Sequence, residues 1–175
     1  MASTIMQSQE DRKRRTLPLI VRAPLVVALV LVLLPLIPLL LATYLLYGIV
    51  LQLVIWLCWC TRGVNVLLVY SDSPNWHDYI ETHIMPRLPP SAVVLNWSDR
   101  RNWKMLSLPV MAFRFFGGSR EFNPLVVVFQ PFRWAKAYRF WNPFKDYKHG
   151  KTATLEELEN KLFQHLSQTG MKTAI

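Results

Sequence analysis

The sequence predicts an α/β domain, a mixed sheet flanked by helices, preceded by an N-terminal helical segment embedded in a membrane. Three observations carry this. Between Arg22 and Arg62 lies an uncharged run of 39 positions filled mainly by Leu, Val and Ile. Short β-branched runs separated by turns follow it, as buried strands should. The chain then ends on leucines recurring every three or four residues, the pattern of an amphipathic helix.

Before the apolar run, Arg12, Lys13, Arg14, Arg15 and Arg22 outweigh Glu10 and Asp11. The positive-inside rule makes residues 1–22 a basic cytoplasmic tail. Residues 23–61 are the expected membrane anchor. This run is too long for the apolar core of a cleaved signal peptide, roughly 7–15 residues. A straight helix over it would reach about 57 Å at 1.5 Å per residue, nearly twice a hydrocarbon core of about 30 Å. Pro35 and Pro38 are the expected breakers, each lacking an amide donor. Two geometries remain open: a single span near residues 39–59, or a hairpin with the prolines at its tip. A single span puts the following domain outside. The hairpin keeps it on the cytoplasmic side, which a basic, aromatic domain favours beside an anionic leaflet. Tyr44, Tyr47, Trp56 and Trp59 can anchor at an interface in either case.

From residue 62 to 168 the pattern is that of one folded domain, with a short tail at 169–175. Residues 64–70 (VNVLLVY) read as a strand buried on both faces. Ser73 then stands as an N-cap before Pro74 at a first helical position. Trp76, Tyr79, Ile80 and Ile84 recur at helical spacing until Pro86. Residues 91–97 are a second strand, and 102–116 a helix interrupted by Pro109. Residues 125–129 (LVVVF) form a third strand and 137–141 a fourth. A capping box at 154–157 opens the last helix, carrying Leu155, Leu158, Leu162 and Leu166, and Gly170 stops it.

This succession over residues 63 to 168 resembles the thioredoxin-like fold. A helix starts directly after the first core strand, where that family carries its active loop. Pro86 sits within the helix like the family's kink proline. Pro124 precedes the LVVVF strand like its cis-proline. The resemblance implies that the 64–70 and 125–129 strands are neighbours and that Pro124 is cis beside the 71–74 loop. It does not carry the chemistry. The loop reads Ser71-Asp72-Ser73-Pro74-Asn75-Trp76 without a cysteine, and dithiol exchange needs a thiolate there.

The only cysteines, Cys58 and Cys60, end the apolar run. The domain therefore has no disulfide framework, thiolate zinc site or catalytic thiol. Their C-x-C spacing beside Arg62 suits lipidation as well as plain apolar packing. His77 and Asp78 diverge by about 100° on a helix, and His77 and His83 lack the i, i+4 spacing of a shared metal. No metal or cofactor is expected.

Two candidate sites remain. The first is the loop of Ser71, Asp72 and Ser73 with Pro124. Its helix N-terminus could receive an anionic group, as a serine does in some glutathione transferases of this fold. The second is the aromatic and basic stretch 130–151, with Arg133, Trp134, Lys136, Arg139, Trp141 and Lys145 as its membrane-surface residues. Residues 100–151 hold 11 basic residues against Glu121 and Asp146, which points to an anionic partner. The expected function is a membrane-anchored, non-catalytic interaction module apposed to lipid, or to an anionic or protein partner. A small transferase of glutathione-transferase type is the alternative. Nucleic acid fits the same residue types but suits a membrane-tethered chain poorly.

Overall fold

The computed structural model describes residues 24, 26–28, 30, 31, 33–118 and 123–170. Two compact units emerge, Met1–Tyr47 and Gly48–Ile175. In the first, the described residues from 24 to 33 are helical, and Leu34 and Pro35 turn before α1, Leu36–Cys58. Among the described residues the helix is interrupted at Leu34 and Pro35 and not at Pro38. Pro38 falls in the first turn of α1, where a missing amide costs no helical bond. This helix is long and apolar enough to cross a membrane.

The second unit begins inside α1, ahead of the boundary near residue 62 that the sequence suggests. Gly48, Leu51, Gln52 and Ile55 make a buried stripe on it, at the spacing of one helix face. A 3₁₀ turn, Cys60–Arg62, ends at Gly63, whose φ of 74° turns the chain toward β1, Val66–Tyr70. The short helix α2, His77–Tyr79, passes into a π turn, Ile80–Ile84, and a 3₁₀ turn, Met85–Arg87. Pro86 cannot donate to the preceding turn, so the ladder loosens just before it. β2 is Val93–Asn96, followed by a 3₁₀ segment, Trp97–Asn102, and α3, Leu108–Phe116. β3, Leu125–Gln130, and β4, Arg133–Arg139, form a hairpin; α4, Trp141–Lys148, and α5, Ala153–Gln168, complete the unit.

The result is a mixed α/β unit, with helices on a sheet of order β2-β1-β3-β4. β1 runs parallel to β2, with Leu67 opposite Val93, and antiparallel to β3, with Leu68 opposite Val126; β3 and β4 are antiparallel. The expected adjacency of the first and third strands is therefore present. The Asn123–Pro124 peptide is cis. Continuing the β1–β3 register by one residue puts Pro124 opposite Tyr70, at the foot of the Ser71 loop.

Alternation along the strands makes two cores. Val66, Leu68 and Tyr70 face Trp76, Ile80 and Ile84 around α2, Phe144 of α4, and Leu155, Leu162 and Leu166 of α5. Leu67, Val69, Val127 and Phe129 face Leu51, Ile55 and Trp59 at the end of α1, and Ala112, Phe113 and Phe116 of α3. The end of the apolar helix is thus part of the fold. At Gly48 it comes so close to the Phe115 ring that a Cβ would collide with it.

Several sequence expectations need correction. Ser73 is not a helix N-cap: its carbonyl, not its hydroxyl, receives the amides of Trp76 and His77, and the helix starts at His77. Burial of the Trp76 side chain sets that geometry. Pro109 does not break a helix; it sits in the first turn of α3, with a 3₁₀ segment occupying 97–102. Instead of a strand at 137–141, β4 ends at Arg139 and α4 starts at Trp141. The Phe140 amide donates to Pro124 O at 2.9 Å, which closes the ladder. Trp141, Phe144 and Tyr147 carried the helical spacing, and Pro143 tolerates a first turn. The last helix begins at Ala153 after Thr152, without a side-chain cap; Thr154 reaches Asp146 instead of closing a capping box.

Candidate functional site

The loop after β1 is built by hydrogen bonds rather than left open to a ligand. Ser71 is buried, and its Oγ accepts the indole N–H of Trp76 at 3.2 Å. Asp72 is laced to the end of β2: its carboxylate accepts from Asn96 Nδ2 at 2.7 Å, and its amide donates to Ser98 Oγ at 3.1 Å. Ser73 Oγ accepts from Asn75 Nδ2, whose partner oxygen accepts from Lys148. The parallel β1–β2 pairing brings these groups together, because both strands deliver their C-terminal ends to one edge. Pro124 joins the same edge by register. So the structure gathers Ser71, Asp72, Ser73 and Pro124, with the serine oxygens already engaged as acceptors.

Beside the loop, His77 stacks on Tyr70, with ring centroids 5.9 Å apart, and its Nε2 lies 3.4 Å from Glu81. Tyr70 donates to Glu81 at 3.3 Å; burial, and then the Glu81 charge, push its hydroxyl above the ordinary tyrosine range. Tyr79 donates to Glu159 at 2.6 Å, and burial followed by that bond raises its pKa as well. Arg87 pairs with the same Glu159 and lies 3.7 Å over the Phe163 ring. These contacts tie α2 to α5. Among the described residues no group of three or more metal-ligating side chains converges.

The six basic and aromatic positions do not share one side of the sheet. Lys136 and Tyr138 line a groove with His165 and Lys161 of α5. Ala135 and Ala137 point to the α1 and α3 side. Arg139 also reaches that side, its Nε donating to Gly117 O at 3.3 Å. A register shift between Val128 and Gln130 lets Trp134 turn the same way, 5.6 Å from Phe116 and 6.3 Å from Phe115. Trp141 and Lys145 sit on α4, on the opposite side. There Trp141 packs 5.2 Å from Trp76, and Lys145 lies 5.0 Å over the Trp141 ring. Arg133 is exposed beside the hairpin tip. The reason is the two-residue period of the strand, which sends neighbours to opposite faces, combined with the register shift that takes Trp134 out of it.

No family model, curated protein or solved structure matches the chain. The site is therefore read from its own geometry.

The groove beside β4, about 450 Å³, is lined by Lys136, Tyr138, Leu158, Lys161 and His165. Both ring nitrogens of His165 have a partner at 2.7 Å: Nε2 accepts from the Gln130 amide Nε2, which leaves Nδ1 as the proton-bearing nitrogen, donating to the Tyr138 hydroxyl oxygen. Burial, with Lys136 and Arg133 nearby, holds its pKa below the usual histidine value.

Two features of this unit escaped the sequence reading. Gln52, the one amide side chain in the apolar run, is buried and accepts from Ala135 N at 3.3 Å. It serves the amide displaced at the β4 irregularity. A polar residue in so apolar a run was the available signal. The second is a set of bare apolar side chains on the α1 and α3 side. Phe132 is 89% exposed, Leu106 88% and Leu57 72%. Single exposed apolar residues are ordinary, so only their common placement distinguishes these.

Proposed function

We propose that the protein is a membrane-anchored, non-catalytic interaction module. On this reading a thioredoxin-like domain without thiols is held by α1 against a bilayer, with its cations toward lipid headgroups or an anionic partner. The carrying observation is the double use of α1. Its Leu51 and Ile55 pack into the domain core, while Ile49, Leu53 and Leu57 on its other side stay bare. A helix used this way fixes the domain at the membrane surface instead of leaving it on a flexible tether. The fold reading is supported by the central β1–β3 pair, the helices after β1 and after the β3–β4 hairpin on one face, and α3 on the other. The non-catalytic reading is supported by the engagement of Ser71 and Ser73. The cytoplasmic side is favoured for the domain by the basic tail and the anionic leaflet it would face.

The test uses the full chain in phospholipid vesicles. The protein is expected to float with the vesicles after alkaline washing and to show no saturable glutathione binding by Trp fluorescence. Release by the wash would remove the anchor. Saturable binding lost in Ser71→Ala would replace the module with the transferase.

A further inference from the structure

We infer that the whole α1 and α3 side of the domain lies on the phospholipid surface and inserts two apolar tips into it. One is Phe132 at the β3–β4 hairpin; the other is the Met105–Leu106 loop before α3. This rests on the membrane-anchor reading and extends it from one helix to a face.

Three observations point to lipid as the occupant. The first is continuity. Within the Gly48–Ile175 unit, Ile49, Val50, Leu53, Val54 and Leu57 are bare along the side of α1 away from the core. They belong to the same helix that is long and apolar enough to span a membrane. Phe132 adjoins this stretch, its ring 5.7 Å from that of Trp56. Trp134, half exposed, leans on Phe115, which fills the space against Gly48.

The second is the placement of Phe132. Its φ is 59°, a left-handed position where glycine or asparagine sits without strain. A phenylalanine there, with its ring 89% exposed, gains little burial from the protein beyond its contact with the Trp56 ring. Met105 and Leu106 are likewise exposed, and Arg114 of α3 holds the loop through Met105 Sδ at 2.9 Å. Its neighbour Phe115 touches Trp134, so α3 links the two tips.

The third is charge. Arg133 follows Phe132, and Arg100, Arg101 and Lys104 precede Met105, all exposed. Apolar tips with cations behind them suit a lipid surface, where the rings enter the acyl boundary and the cations meet phosphates. Water or a soluble acidic partner would satisfy only the cations.

The experiment places single spin labels on the full chain, with Cys58→Ser and Cys60→Ser removing the native thiols. Leu57→Cys, Leu106→Cys and Phe132→Cys report the proposed surface. Leu45→Cys reports the span, and Asn160→Cys on α5 reports the opposite side. In vesicles of phosphatidylcholine and phosphatidylserine, collision with oxygen relative to a water-soluble nickel complex is measured at each site. The ratio at the three surface sites is expected to approach that at Leu45 and to exceed that at Asn160 several-fold. If Leu45 is in lipid while Leu106 or Phe132 matches Asn160, the face does not insert, and the anchor stands without it. If Leu45 itself is aqueous, the anchor reading fails. All five positions are exposed, so the labels leave the core intact.

Discussion

Truncating Ile55 tests whether the end of α1 belongs to the folded unit. Ile55 has no exposed surface and lies among Leu51, Trp59 and the second-face residues of the sheet. Ile55→Ala removes three carbons. At about 0.8 kcal/mol per buried methylene the transfer loss is roughly 2.4 kcal/mol. The sheet beneath is rigid, so a residual cavity adds to it, and ~3–4 kcal/mol is expected, within the range of about 2–5 found for such truncations. Leu57 is a close control, two residues away on the same helix but 72% exposed. In a detergent micelle, Leu57→Ala leaves the protein core untouched and is expected to change stability by less than about 0.5 kcal/mol. The assay is denaturant-driven unfolding in micelles, followed through circular dichroism and Trp fluorescence. Equal effects of the two substitutions would refute the reasoning, because α1 would then be a tether whose faces see the same surroundings.

Other perturbations follow from the same contacts. Gly48→Val drives a side chain into the Phe115 ring and is expected to cost about 1–3 kcal/mol; combined with Phe115→Ala, the loss should be smaller than the sum of the two, as measured in a double-mutant cycle. Ser71→Ala leaves the buried Trp76 N–H without its acceptor and is expected to destabilise by about 1–3 kcal/mol, whereas Ser73→Ala, losing an exposed bond, should stay within ~0.5 kcal/mol in the same unfolding assay. His165 titrates below its ordinary value near 6.5 when folded, through burial and the neighbouring Lys136 and Arg133. As pH falls, the unfolded chain therefore takes up its proton first. Stability should decline from about pH 6.5 downward and level off below the folded value; His165→Gln should flatten that part of the stability–pH curve.

Local patterns decided much of this protein. An uncharged run of 39 residues was the sign of a helix long and apolar enough to cross a membrane, because a hydrocarbon core of about 30 Å takes roughly 20 apolar residues in a helix. The β-branched runs at 64–70 and 125–129 mark central strands, since only strands buried on both faces are apolar at every position. Those strands are β1 and β3, side by side. The Ser71 loop was also legible, as the first turn signal after a core strand. Helix starts were less legible: Ser73, Thr154 and Pro109 each looked like a boundary, yet the helices begin at His77, Ala153 and Leu108.

Tertiary structure alone decided which part of the apolar run packs into the domain core. Hydropathy cannot separate a side chain packed on a sheet from one facing lipid, because both surroundings are apolar. Ile55 and Leu57 look alike in sequence and differ completely in burial. It also split the basic aromatic stretch. Read along the chain, Arg133 to Lys145 is one patch. A strand sends successive side chains to opposite faces, the register shift between Val128 and Gln130 takes Trp134 out of that alternation, and the helix after the strand packs on only one face. That places Lys136, Trp141 and Lys145 on one side of the sheet and Trp134 and Arg139 on the other.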